Sequence, residues 1–242
     1  FVMAVLSGQR IALALVPITT VLLLFLTGQV ANLKRFIPIA VILGIGLGIT
    51  AMNNPQIVEE RIASFQSRWA ASPPYMFIAE QFQWAMHEQQ GFLGNGVGRA
   101  TNSGRSLGNV QLVETYYPKL IYEIGPIGAA CFLLLVTVIT IQTFKAYRSI
   151  GGPGRLTATQ RTLRSYGASF WVYVLFISYN TYYYPLDVDP VAVYYWFFAG
   201  VILRLPDIDR QERLAAAADP DEPAIDKKRQ SGRRLAKLGN TR

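Results

Sequence analysis

Ile124–Phe144, IGPIGAACFLLLVTVITIQTF, carries no charged residue over its whole length. At 1.5 Å per residue it reaches about 30 Å, the thickness of a bilayer's hydrocarbon core. It reads as a transmembrane helix and sets the expectation of an all-α, polytopic integral membrane bundle. Outward from it lie Ile11–Leu26 and Phe36–Met52, a predicted helical hairpin turning at Lys34 and Arg35, and then Tyr166–Tyr184 and Val191–Leu203. About five spans result. The fourth ends in Tyr179, Tyr182, Tyr183 and Tyr184, an interfacial composition, and Arg204 is placed to snorkel from the fifth. Phe1–Ser7 is also apolar, so the sequence is expected to open inside a membrane helix and to be the C-terminal part of a larger membrane protein.

Composition agrees. The 242 residues are 51% hydrophobic and only 16% charged, against about 25% charged in a soluble domain. The single cysteine, Cys131, lies inside an apolar run, which excludes a disulfide framework or a thiolate metal cluster. A net charge of +8 invites a nucleic-acid partner. The Lys and Arg residues fall in particular loops and in the tail, however, so the bilayer is the expected partner and nucleic acid is not.

Basic loop residues set orientation. Lys145, Arg148, Arg155, Arg161 and Arg164 crowd the connection between the third and fourth spans without an acidic residue among them, so that connection is predicted to be cytoplasmic. With alternating spans, residues 53–119 form a long external loop and the C-terminus is cytoplasmic. Residues 1–204 then make the transmembrane domain, and 205–242 an unstructured basic tail. Its basic run is placed to touch anionic inner-leaflet lipid. Inside the external loop, Ser72 and Pro73 predict a helix start. Phe77, Ile78, Phe82, Ala85 and Met86 then stripe one face of an amphipathic helix over Pro74–Gln89, lying on the membrane or capping the bundle. Glu80, Trp84, His87 and Glu88 share another face. His87, the only histidine, has no partner in view and reads as a surface residue.

Polar groups converge in Gly91–Gly128, GFLGNGVGRATNSGRSLGNVQLVETYYPKLIYEIGPIG. Gly94, Gly96 and Gly98 before Arg99 make either an anion-binding turn or a plain helix connection. Gly44, Gly46 and Gly48 read as a small-residue packing face of the second span. Arg10, at the external end of a span, either snorkels or pairs with an anion. Arg61 and Arg68, seven residues apart, share a helix face. With Arg99 they converge on a diphosphate, or else they pair with Glu59 and Glu60. Glu114 lies at the mouth of the third span. There it either serves as a general base, its charged form disfavoured at a low-dielectric boundary, or pairs with Lys119 or a loop arginine.

The order of these features resembles the C-terminal half of the O-antigen ligase/polymerase family, bacterial envelope glycosyltransferases. The matching parts are Ser7-Gly8-Gln9-Arg10, the hairpin, Arg61–Trp69, Gly91–Gly98 and above all Glu114–Gly128, ETYYPKLIYEIGPIG. The resemblance covers about Arg10 to Leu203. It implies a multi-pass protein of the bacterial inner membrane. Its donor would be a glycan on polyprenyl diphosphate, its acceptor a glycan or lipid-linked chain, and no metal or cofactor would be needed. Carried over, Arg10 and Arg68 clamp the diphosphate, Glu114 is the base and Gly94–Gly98 shape the site. Arg61, Tyr116, Tyr117 and Arg99, which has no firm counterpart in the family's pattern, are read from this sequence as further substrate contacts. Ligases of the family carry histidine at Glu114 and asparagine at Thr115, so the departures lean toward polymerisation. A small-anion transporter using the same arginines and a non-catalytic membrane scaffold are the competing readings.

Overall fold

A computed structural model of the chain describes residues 10–28, 38, 41, 42, 44–46, 48, 49, 52–101, 108, 110–151, 156–182 and 185–218. Helices account for 80% of them, and there are no strands among the described residues. In order they are α1 (Arg10–Leu26), α2 (Pro55–Ala71), α3 (Pro74–Glu88), α4 (Tyr116–Ser149), α5 (Ala158–Tyr179) and α6 (Val191–Ala218), with a short 3-10 turn at Pro185–Asp187. Every described residue between 38 and 53 is helical as well.

α4 and α6 are long and apolar enough to cross a membrane; α1 contains a shorter apolar helix, Leu15–Leu26. α4, α5 and α6 pack pairwise as an up-down-up bundle, and α1 leans on α5. Their core joins Tyr147 and Ile150 of α4 and its end, Ala168 and Val174 of α5, and Tyr195, Ala199, Ile202 and Leu205 of α6. Close approach needs Gly167, where a Cβ would fall 2.6 Å from Tyr147 Cβ. A Cβ on Gly44, Gly46 or Gly48 would meet no atom within 4 Å among the described residues, and most of the segment expected to carry that packing face lies outside them. Inside the bundle the hydroxyls of Thr140, Ser178 and Tyr195 hydrogen-bond in a chain, at 3.2 and 2.9 Å, linking all three helices. The outward faces carry Leu134, Ile141, Val193 and Phe197. Such a surface is disfavoured in water and favoured in hydrocarbon.

Several boundaries differ from expectation. α3 begins at Pro74, as the helix read over Pro74–Gln89 does, but Pro73 rather than Ser72 takes the cap position and there is no side-chain cap hydrogen bond. It does cap the bundle, packing on α4. Trp84, placed by sequence on the outer face, stacks on Tyr122 of α4 at 5.0 Å. The expected outward His87 is exposed and meets Glu88 at 3.2 Å. Arg204 is bound by Asp207 of its own helix at 2.6 Å.

The largest correction concerns the tail, because helix continues past Leu205 to Ala218 rather than ending there. Leu205 and Asp209, one turn apart, are both buried, and the alanines that follow favour helix. Asp209 is the reason this end is fixed. Its carboxylate accepts from Gln160 Nε2 at 2.9 Å and from Gly151 N at 3.1 Å, and it pairs with Arg213 at 2.9 Å. Gln160 is also half of a capping box with Thr157 at the start of α5. One carboxylate therefore ties the α4–α5 connection to α6. The rest of the expected tail, 219–242, lies outside the described residues.

Asp209→Ala leaves these buried donors without an acceptor, at about 1–3 kcal/mol for a buried unsatisfied group. The thermal unfolding midpoint in detergent should fall well below wild type. An unchanged midpoint would reject the staple.

Candidate functional site

The site is built around a break in α4. Gly125 has φ +72° and ψ 174°, outside helical values, and Pro126 follows it. Proline has no N–H to donate, so a helix carrying it loses a bond to the carbonyl four residues back. Here that carbonyl belongs to Tyr122, and the break at Gly125 frees the next one, on Glu123. Both are taken by the glycine loop: Asn95 N donates to Tyr122 O and Gly96 N to Glu123 O, each at 2.9 Å. Buried carbonyls seldom stay unpaired, so loop and kink specify each other.

The approach is backbone to backbone. A Cβ on Gly94 would sit 2.5 Å from Gly125 N, and a Cβ on Gly125 would sit 2.1 Å from Phe92 O. Only glycine fits both positions, which also have positive φ. Glu123 holds the loop a second time. It is buried, and its Oε1 accepts from Ala100 N at 2.8 Å and Thr101 Oγ1 at 3.3 Å. Asn95 Nδ2 reaches Glu88 O at 3.1 Å, binding the loop to the end of α3.

Beside this junction opens a cleft of about 510 Å³ lined by Gln90, Asn95, Arg99, Val110, Gln111 and Tyr122. Its described walls carry one cation, no carboxylate and three carboxamides, each able to donate and accept. The chain closes the cleft by returning alongside Arg99, whose carbonyl accepts from Gln111 N at 3.1 Å. From Val113 the backbone alternates: Val113 and Thr115 are buried, and Glu114 between them is exposed, its N–H donating to Gln81 Oε1 at 3.4 Å.

The sequence-predicted residues divide accordingly. Arg99 lines the cleft. Gly94 and Gly96 shape the loop, and the Gly96 amide is spent on α4 rather than turned toward an anion. Gly98 has positive φ and open space around it. Glu114, expected near a low-dielectric boundary, is exposed, and the buried carboxylate is Glu123, which the sequence offered no reason to prefer. Tyr116 and Tyr117 are packing residues: Tyr116 is buried edge-on to Phe132, and the Tyr117 hydroxyl donates to Ser178 O. Lys119, one of the partners weighed for Glu114, bonds instead to Asp187 in the turn before α6. Arg10 opens α1, and Arg61 and Arg68 lie on α2; their side chains, and all of Arg105, lie outside the described residues.

Gln90, Asn95, Gln111 and Tyr122 are cleft residues that sequence reasoning passed over. Their one signal was carboxamides clustering around a glycine-rich loop. No family model, curated protein or solved structure matches the chain.

Gly125→Ala should release the loop, since a positive φ costs an L-residue roughly 1–2 kcal/mol before the clash with Phe92 is counted. Limited proteolysis should cut residues 91–101 faster in this variant. Gly200→Ala, where a Cβ meets nothing within 4 Å, should cleave like wild type. Equal cleavage of all three would refute the interlock.

Proposed function

We propose that this chain carries the catalytic site of a membrane glycosyltransferase. In this reading it polymerises or ligates a glycan carried on polyprenyl diphosphate, at the external face of a bacterial inner membrane. The observation that carries the reading is the cleft at the kink: a guanidinium, three carboxamides and a phenol side by side, close in sequence to the exposed Glu114. Carboxamides and phenols bind hydroxyl-rich ligands, and arginine binds phosphate oxygens with two parallel hydrogen bonds.

Orientation supports it. The cleft lies at the bundle end formed by the start of α4, the end of α5 and the start of α6, where Tyr116 N donates to Thr181 O at 2.9 Å. Lys145, Arg148, Arg161 and Arg164 lie toward the opposite end. The positive-inside bias then puts the basic end in the cytoplasm and the cleft outside, with the remaining apolar helices completing about five spans.

In the reaction, the Glu114 carboxylate takes the proton of the acceptor hydroxyl as that oxygen bonds to the donor's anomeric carbon. The bond from that carbon to the diphosphate oxygen breaks, and its electron pair leaves on the diphosphate. Arg99, with Arg10, Arg61 and Arg68, stabilises the charge that develops. An exposed Glu114 is open to a bulky acceptor.

Glu114→Gln and Arg99→Ala, each in the protein in its own cells, test this. Carrier-linked repeats should accumulate and finished polymer should be lost, with membrane abundance unchanged. Losing a general base costs roughly 10²–10⁴-fold in rate. Normal polymer in both variants would sink the assignment.

A further inference from the structure

A second cavity, of about 530 Å³, lies where the end of α1 meets the beginning of α5. Its walls include Phe25 and Leu26 from α1, Leu156, and Arg161, Arg164 and Ser165 from α5. The three α5 residues are spaced i, i+3, i+4 and so share one face. They occupy the first two turns of a helix whose first turn holds no acidic residue, where the helix dipole adds positive potential. None of the described walls is acidic. Neither arginine enters an ion pair among the described residues.

The other half of the feature is apolar. Ile18, Val21 and Phe25 follow one another at i, i+3, i+7 on α1 and are 52%, 64% and 73% exposed. They make a stripe that runs along the helix and ends in the cavity. A free phosphate ion would use the arginines and leave the stripe without a role.

We propose that this cavity holds the headgroup of an anionic phospholipid, its phosphate between Arg161 and Arg164 and an acyl chain along Ile18, Val21 and Phe25. Guanidinium groups engage phosphate oxygens in pairs, and basic pockets between membrane helices on the cytoplasmic side suit such headgroups. The inference rests on the membrane reading of the helices and is independent of glycan transfer.

The test is native mass spectrometry of the full-length protein, purified in detergent and titrated with phosphatidylglycerol or phosphatidylcholine of matched chains. Phosphatidylglycerol should bind in preference. R161A/R164A should weaken it about thirtyfold, while phosphatidylcholine binding stays as it was. Phe25→Asp, at an exposed position, is the second variant and should also weaken phosphatidylglycerol, because it sets a negative charge beside the phosphate. Inorganic phosphate should not compete. Equal binding of the two lipids, undiminished phosphatidylglycerol binding in both variants, or displacement by inorganic phosphate would overturn the proposal. So would recovery of the protein in the soluble fraction, which would remove the membrane premise.

Discussion

Two carbonyls at a proline kink organise the cleft end of this protein. Pro126 and Gly125 interrupt α4 and leave Tyr122 O and Glu123 O without helical partners, and the amides of Asn95 and Gly96 replace them. A kinked helix in an apolar setting needs such replacement donors. The substitution converts a helix defect into an attachment point for a loop. Because Glu123 binds that loop again through its side chain, residues 94–101 are held along their length. The cleft exists because its floor, at Tyr122, and its wall, at Asn95 and Arg99, belong to these interlocked segments.

The two ends of the bundle solve the same problem with different chemistry. At the cleft end, the start of α4 is held by the Tyr116–Thr181 backbone bond and by Lys119 on Asp187. At the other end, Asp209 gathers Gln160, Gly151 and Arg213. Between them, cohesion comes from aromatic packing, as in Phe144, Tyr147 and Trp171, and from the Thr140–Ser178–Tyr195 hydroxyl chain. Hydroxyls suit an apolar interior, since they bond across helices without burying a net charge. Charged staples are confined to the ends.

This division separates the polar work of the chain into two places. One is the carboxamide-rich cleft beside the kink, and the other is the arginine-lined cavity at the start of α5. The cleft is almost wholly polar in its side chains, whereas the cavity joins guanidinium groups to an exposed aliphatic stripe. Two openings of different composition thus lie toward opposite ends of one bundle.

Much was legible in the sequence. The apolar run at Ile124–Phe144, the amphipathic pattern of Pro74–Gln89 and the glycines before Arg99 each determine local structure, because helix period, hydropathy and positive φ are properties of neighbouring residues. The sequence could also mark Gly91–Gly128 as the place where polar groups gather. It could not say which carboxylate is buried, since Glu114 and Glu123 differ only in what the fold sets against them. Nor could it place Trp84 against Tyr122, turn Tyr116 and Tyr117 into the bundle, or carry α6 beyond Leu205. Those outcomes depend on partners distant in the chain: Ala100 for Glu123, Ser178 for Tyr117, and Gln160 and Gly151 for Asp209. Composition and periodicity determined that helices form; only the tertiary structure decided which polar atoms meet, because a hydrogen bond needs both of its ends in place.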